Sequence, residues 1–270
     1  MQSTSEGSEL FVSPAEIRAA IDGRQFKLCY HPKVESESLI LKGFEALIRW
    51  EHPGKGLLMP DQFIRQAEEA GLIGRITELV VDEAFAWHRS MGSVQGLSLS
   101  INMSVKRLSD LDFADWLFLR CRHAGIRPDH VYLEVSETAV MSERLYALDM
   151  FTRLLAKGFR VSIDNFGLGR YSLAILARLP FSEVKIEKSF AMAAAQSDEA
   201  RAFIKATVEV GHRMNLSVVA EGVEDRVTLE YLRRVGCDYV QGYLISRPMT
   251  GEQTTDWLAN RRQMTKHMLI

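Results

Sequence analysis

Along most of the chain, short runs of alternating apolar and polar residues are separated by longer stretches whose apolar positions recur at three and four. The short runs predict strands near Phe26 to Val34, Lys42 to Leu47, Leu97 to Asn102, Val131 to Val135, Arg160 to Ile163, Glu183 to Ile186, Ser217 to Ala220 and Tyr239 to Leu244. The stretches PDQFIRQAEEAG, ITELVVDEAFAWHRS, DFADWLFLRCRHAG, SERLYALDMFTRLLAKG, DEARAFIKATVEVGHRMN and DRVTLEYLRRVG predict helices, with Gly71, Gly125, Gly158 and Gly236 as stops. Little more than ESESLI separates the first two strands, too little for a crossover helix, so they are expected to form an antiparallel hairpin. Strands interleaved with helices in this way predict an α/β fold, a closed (β/α)8 barrel, with an open doubly wound sheet as the alternative.

Parity within the strands favours closure. Ser98, Ser100 and Asn102 share one face against Leu99 and Ile101; Ser162 and Asp164 oppose Val161 and Ile163; Glu183, Lys185 and Glu187 oppose Val184 and Ile186. One apolar face toward the helices and one polar face toward an interior suits a barrel, whereas a sheet covered on both sides is apolar on both. No linker interrupts residues 26–249, which predicts one domain over 13–262, after a loose leader at 1–12 and before a short tail at 263–270.

Composition narrows the function classes. With 47% hydrophobic and 25% charged residues in 270, the chain is an ordinary globular protein, neither disordered nor held by disulfides. A formal charge of −2 disfavours a nucleic-acid polymer as partner. The absence of an apolar run of about 18 residues predicts no membrane insertion. Isolated Cys29, Cys121 and Cys237, in no CxxC spacing, suit a reducing compartment, so the cytoplasm is expected.

In a (β/α)8 barrel the chemistry sits at the C-terminal ends of the strands. The polar residues there are Glu45, Asn102, Glu134, Asp164 with Asn165, Lys185, Glu221 and Gln241. Four carboxylates converging on one rim would repel each other, so a divalent cation is the natural compensating charge. Oxygen donors select Mg²⁺, Mn²⁺ or Ca²⁺ over zinc, and the histidines show no HxH or HExxH spacing. A cation-acidified water attacking phosphorus, with Lys185 to orient it, would make a phosphoryl hydrolase. Any one of these residues alone is more often a cap or an ion-pair partner; their coincidence at strand ends carries the reading.

The motifs on this rim resemble those of the EAL-domain family of bacterial cyclic di-GMP phosphodiesterases and receptors. GFEALIRWEHP at Gly43 to Pro53 resembles the family signature, YHPKV at Tyr30 to Val34 its YQPKV, SINMS its NLS segment and LEVSET its LEITES. SIDNFGLG is similar to DDFGTG, VKIEKSF to LKIDRSF, AEGVE is unaltered, and QGYLISRPM is close to QGYLFSRPM. The resemblance implies hydrolysis of cyclic di-GMP to linear pGpG, with one or two Mg²⁺ or Mn²⁺ ions required and Ca²⁺ inhibitory. It implies that Glu45, Asn102, Glu134 and Asp164 hold a first ion, and that Asp164, Glu221 and position 165 hold a second. Lys185 would contact the attacking water, Gln241 would support the site, and Glu137 would anchor the loop after Asp164. Leu47, Arg49, His31, Glu224, Gln241, Arg247 and Pro248 look like substrate contacts. A homodimer through the loop after Asp164 is implied, as is an N-terminal sensory or receiver domain in a longer parent protein. No GGDEF-type segment accompanies the motifs, so cyclase activity is not expected.

The departures matter. Asn165 stands where active members usually carry a second Asp, which keeps an oxygen donor but removes a full charge from the second ion site. Gly167-Leu168-Gly169-Arg170-Tyr171-Ser172 replaces GTGYSS, Glu187 replaces an Asp, and His31 replaces a Gln. Two readings follow: a working phosphodiesterase, favoured because the other ligands all survive, and a silent receptor that signals ligand occupancy to a partner. A barrel enzyme acting on another phosphodiester enters only if cyclic di-GMP does not bind.

Overall fold

The computed structural model describes residues 12–92, 96–168 and 176–268. Helix Pro14–Asp22 opens on Ser13, whose hydroxyl accepts from Glu16 N while the Glu16 carboxylate accepts from Ser13 N, so two otherwise unpaired donors are satisfied together. Strands β1 (Phe26–Glu35) and β2 (Leu41–His52) follow as the expected antiparallel hairpin, in register from Phe26 opposite Trp50 to Val34 opposite Leu41. The remaining ring strands are β4 (Ser98–Asn102), β5 (Val131–Ser136), β6 (Arg160–Phe166), β7 (Glu183–Ile186), β8 (Ser217–Ala220) and β9 (Tyr239–Val240). From β2 through β9 the neighbours pair parallel, and β1 pairs antiparallel with both β2 and β9, which closes the ring. The closed barrel is therefore the observed architecture, and the open sheet falls because β1 leaves no free edge between β2 and β9.

Short strands β3 (Gly56–Leu58) and β10 (Met249–Thr250) extend β2 and β1 outside the ring, and neither was expected. The last ring strand is shorter than Tyr239 to Leu244. Gln241 N still bonds Ala220 O, but Gly242 then runs so close to the Val223 backbone that a Cβ would lie 2.2 Å from the Val223 oxygen, and the chain turns there. Residues 60–71 form a 3-10 turn, Pro60–Gln62, and a separate helix, Ile64–Glu69, because the Gln62 side chain accepts from Met59 N and Phe63 turns inward to full burial. The four glycines expected to stop helices all adopt positive φ.

The parity of the strands places aliphatic residues outward and polar ones inward. Leu99, Ile101, Leu133, Val161, Ile163, Val184, Ile186 and Val218 are buried beneath the helix layer. The interior begins with a buried charge pair: Lys33 Nζ lies 2.7 Å from Glu183 Oε2, with side-chain exposures of 4% and 0%. Ser162 Oγ donates to Glu183 Oε1 at 3.1 Å, and the Lys33 ammonium sits 4.5 Å from the centre of the Tyr132 ring. Each charge is tolerated there because it is both paired and hydrogen-bonded. This layer forms the floor of the site.

Candidate functional site

Two residues further along each strand, on the same inward face, stands the expected polar ring. His31 stands above Lys33, Glu134 above Tyr132, Asp164 above Ser162, Lys185 above Glu183 and Gln241 above Tyr239. The ring has one hub. Lys185 Nζ lies 2.7 Å from Glu134 Oε2, 2.7 Å from Glu221 Oε1, 3.1 Å from Glu45 Oε2 and 3.8 Å from Asp164 Oδ1. Glu45 also accepts from Asn102 Nδ2 and from Gln241 Nε2, each at 2.9 Å. Barrel closure thus brings Glu45, Asn102, Glu134, Asp164, Lys185, Glu221 and Gln241 together.

Asn165 follows Asp164 at φ +54, a left-handed backbone that Asn and Asp tolerate better than other non-glycine residues. Its Nδ2 donates to Asp164 Oδ2 at 2.9 Å, while Asp164 Oδ1 is buried with no hydrogen-bond partner. Glu137, buried at the start of helix Glu137–Ser142, accepts from Gly167 N at 3.0 Å and so ties down the exit of β6. Residues 169–175 of the following loop, including Gly169, Arg170, Tyr171 and Ser172, lie outside the described residues.

The electrostatics express a crowd of acids sharing one lysine. Burial pushes the Glu221 carboxyl up to about 8, and burial together with the charge on Glu45 pushes Glu134 well above the usual carboxylate range. Burial raises Asp164 as well. Burial would also raise Glu45, but the Lys185 ammonium and the Asn102 amide hold it at about 2. Burial opposes charge on Lys185, yet Glu134, Glu221, Glu45 and Asp164 together hold it firmly as an ammonium.

A pH dependence follows. A carboxyl raised in the folded state binds a proton that the unfolded chain has already released, so it removes stability as pH rises from its unfolded value toward its folded one. In chelator, Glu221 is therefore expected to lower the melting temperature between about pH 4.5 and pH 8. Glu221→Gln should flatten that slope in thermal melts, and an unchanged slope would refute the assignment.

The donors suit a hard divalent ion: four carboxylates and two amides, with one buried Asp164 oxygen left without a hydrogen-bond partner. Among the described residues no three such side chains stand ready as a finished cage, since the acids point at Lys185 instead. A cleft of about 1170 Å³ opens over this rim, lined by Glu45, Leu47, Asn102, Glu134, Asp164 and Asn165 among others. Arg49, Glu224, Arg247 and Pro248 lie outside its lining. Arg49 donates to the Ile48 carbonyl at 2.8 Å, and the Arg247 guanidinium stacks 4.2 Å from the Tyr243 ring. His31 Nε2 lies 3.0 Å from Ser246 O, and burial lowers the pKa of its ring.

Sequence reasoning missed the Lys33–Glu183 floor and Lys188, which also lines the cleft. Strand parity could have found the first, since Lys33 and His31 share a face just as Glu183 and Lys185 do. The second stands at the basic position of VKIEKSF, where the similar LKIDRSF has Arg, a signal that could have found it.

A (β/α)8 barrel with acid and amide donors gathered at the C-terminal rim around one lysine defines the class. The chain belongs to the EAL-domain family, whose model, described as the EAL domain, matches residues 15–248. It is 39% identical over 240 residues to the bifunctional diguanylate cyclase/cyclic di-GMP phosphodiesterase MucR of Pseudomonas aeruginosa, covering 88% of this chain and 35% of that protein. It is 35% identical over 236 residues to the cyclic di-GMP phosphodiesterase NbdA of the same organism, covering 87% of this chain and 30% of that one. A solved structure described as the PaMucR phosphodiesterase in complex with c-di-GMP superposes with a TM-score of 0.84 at 38% identity, covering 89% of this chain and 98% of the other. The chain spans about a third of the length of the curated relatives it matches. Among the described residues, no helix is long and apolar enough to cross a membrane.

Proposed function

We propose that this chain hydrolyses cyclic di-GMP to linear pGpG. The observation that carries the reading is the convergence of Glu45, Asn102, Glu134, Asp164 and Glu221 on one rim, where a buried Asp164 oxygen has no hydrogen-bond partner. EAL phosphodiesterases are generally dependent on divalent metal ions. On this reading Glu45, Asn102, Glu134 and Asp164 hold one ion, and Asp164, Asn165 and Glu221 a second, with Mg²⁺ or Mn²⁺ supporting turnover and Ca²⁺ inhibiting it. When bound, the ions supply acidified water and neutralise phosphate charge.

The residues do the rest. Lys185, fixed as an ammonium, has no lone pair to accept a proton, so it orients the attacking water and offsets negative charge developing at phosphorus. Gln241 and Asn102 hold Glu45 in place through their amide hydrogens. Glu137 keeps the chain after Asp164 in position through Gly167 N. Leu47 offers an apolar wall to a base, and on this reading His31, Arg49, Glu224, Arg247 and Pro248 make further substrate contacts from positions beyond the cleft lining.

One observation favours a second reading, a receptor that binds cyclic di-GMP without turnover: the Asn165 amide hydrogen-bonds Asp164 at the second ion site instead of adding a carboxylate there. Incubation with cyclic di-GMP and Mg²⁺ or Mn²⁺, followed for pGpG, separates the two. Product supports the enzyme. Tight binding without product, under conditions where Asn165→Asp turns over, establishes the receptor. The proposal extends to a cytoplasmic protein with a barrel domain over 13–262, a homodimer through the segment after Asp164, and a sensory or receiver domain in a longer parent.

A further inference from the structure

The structure assigns a phosphate of the bound dinucleotide to Lys188, on the cleft wall beside the second ion site; this deepens the proposed function and rests on it. Lys188 follows Glu187 at the start of a short helix, Lys188–Ala193, and lines the cleft with Asp164 and Asn165. Its root is held from the other side by the turn after Glu221. Gly222, at φ +69, packs so closely that a Cβ there would lie 2.6 Å from Lys188 Cβ and 3.1 Å from its Cα. The side chain therefore starts between the two segments that carry Asp164, Asn165 and Glu221, although its own head is exposed.

The charge on Lys188 is uncommitted. Among the described residues no carboxylate lies within ion-pair distance of its ammonium, in a cleft whose rim acids Glu45, Glu134 and Asp164 are gathered around Lys185. The wall's other cation, Arg65, already pairs with Glu69 at 3.2 Å. Of the β6 residues that line the cleft with it, Asp164 accepts from Asn165 Nδ2, and position 165 is an amide. An ammonium left unpaired beside an acid rim is a receptor for an anion brought in by the substrate, and a phosphate oxygen is the anion that cyclic di-GMP presents. A merely solvated surface lysine would contribute nothing measurable to binding.

Equilibrium titration of the whole chain with cyclic di-GMP in Ca²⁺ buffer, at low and high salt, tests the assignment. Lys188→Gln is expected to raise Kd about tenfold, the scale of one charge-assisted hydrogen bond, and to flatten its salt dependence. Lys188→Arg should stay within about threefold of the parent, because the cation and its donors persist. Lys205→Gln, an exposed helix lysine outside the cleft lining, serves as control and should leave Kd unchanged. Parent-like affinity and salt dependence in Lys188→Gln would overturn the assignment alone. Failure of the parent chain to bind cyclic di-GMP at all would overturn the proposed function and this contact together.

Discussion

Replacing Lys185 with methionine is expected to abolish hydrolysis and to make the fold depend on a bound divalent ion. The ammonium lies at 1% exposure among four carboxylates, and each of them owes part of its tolerance of burial to that charge. Removing one partner of a buried ion pair typically costs about 3–5 kcal/mol, because the charge left behind has neither water nor counter-ion. Some of that cost is avoided when Glu134 and Glu221 take up protons, which their raised pKa values favour. In chelator the variant should therefore melt well below the parent, and most of all at alkaline pH. Mg²⁺ or Mn²⁺ should restore stability, since an ion supplies the missing positive charge. Turnover should stay about 10²- to 10⁴-fold down even with metal, the range for losing a positioned group that handles the reacting water. Melting curves with and without metal, set beside pGpG formation, check both halves. Full activity in Lys185→Met would remove the lysine from the mechanism.

Asn165→Asp is expected to raise turnover, by at least about tenfold at limiting metal, which corresponds to about 1.4 kcal/mol of improved ion binding. Two features make the substitution clean. Aspartate tolerates the left-handed backbone at φ +54, so no strain is introduced. The amide also loses its donor, so its bond to Asp164 Oδ2 is replaced by repulsion between two carboxylates. That repulsion costs stability without metal and is relieved when a cation sits between them, so the variant should bind Mn²⁺ more tightly and melt lower in chelator. A metal titration of activity in the two proteins measures this directly. Equal metal dependence would show that the amide serves the second site as well as a carboxylate does.

Much of this site could be read before folding was considered, and the reason is local. Ser162 and Asp164 occupy the same face of one strand whatever the strand pairs with, and so do Glu183 and Lys185, since side-chain direction has a period of two. The hairpin was legible from the short connection between its strands, and the strand-end acids from their recurrence once per β-α unit. The small strands β3 and β10 were not legible, because runs of two or three residues have no detectable period and exist only through pairing with β2 and β1. The early end of β9 was hidden for a similar reason: it depends on the approach of Gly242 to Val223, a contact made by two separate turns.

The residues of the rim could be named without being arranged. Four acids in need of a cation suggested a metal, yet the folded chain turns all four toward Lys185 and leaves one oxygen of Asp164 without a hydrogen bond. The partners of Arg49 and Arg247, named as substrate contacts, came only from the fold: the Ile48 carbonyl and the Tyr243 ring. Lys188 was legible only as the basic residue of VKIEKSF, and its interest comes from its place on the cleft wall with no acid within ion-pair distance among the described residues.

The amino-acid order by itself determined the strands and helices, the inward face of each strand and the chemical kind of donor at its end, all properties of segments a few residues long, while closure of the ring waited on the pairing of β1 with β9. Tertiary structure alone decided how those donors share charge. Lys185 and Glu45 are 140 positions apart in sequence and 3.1 Å apart in space, and a Coulomb interaction inside the barrel is set by the second distance, not the first.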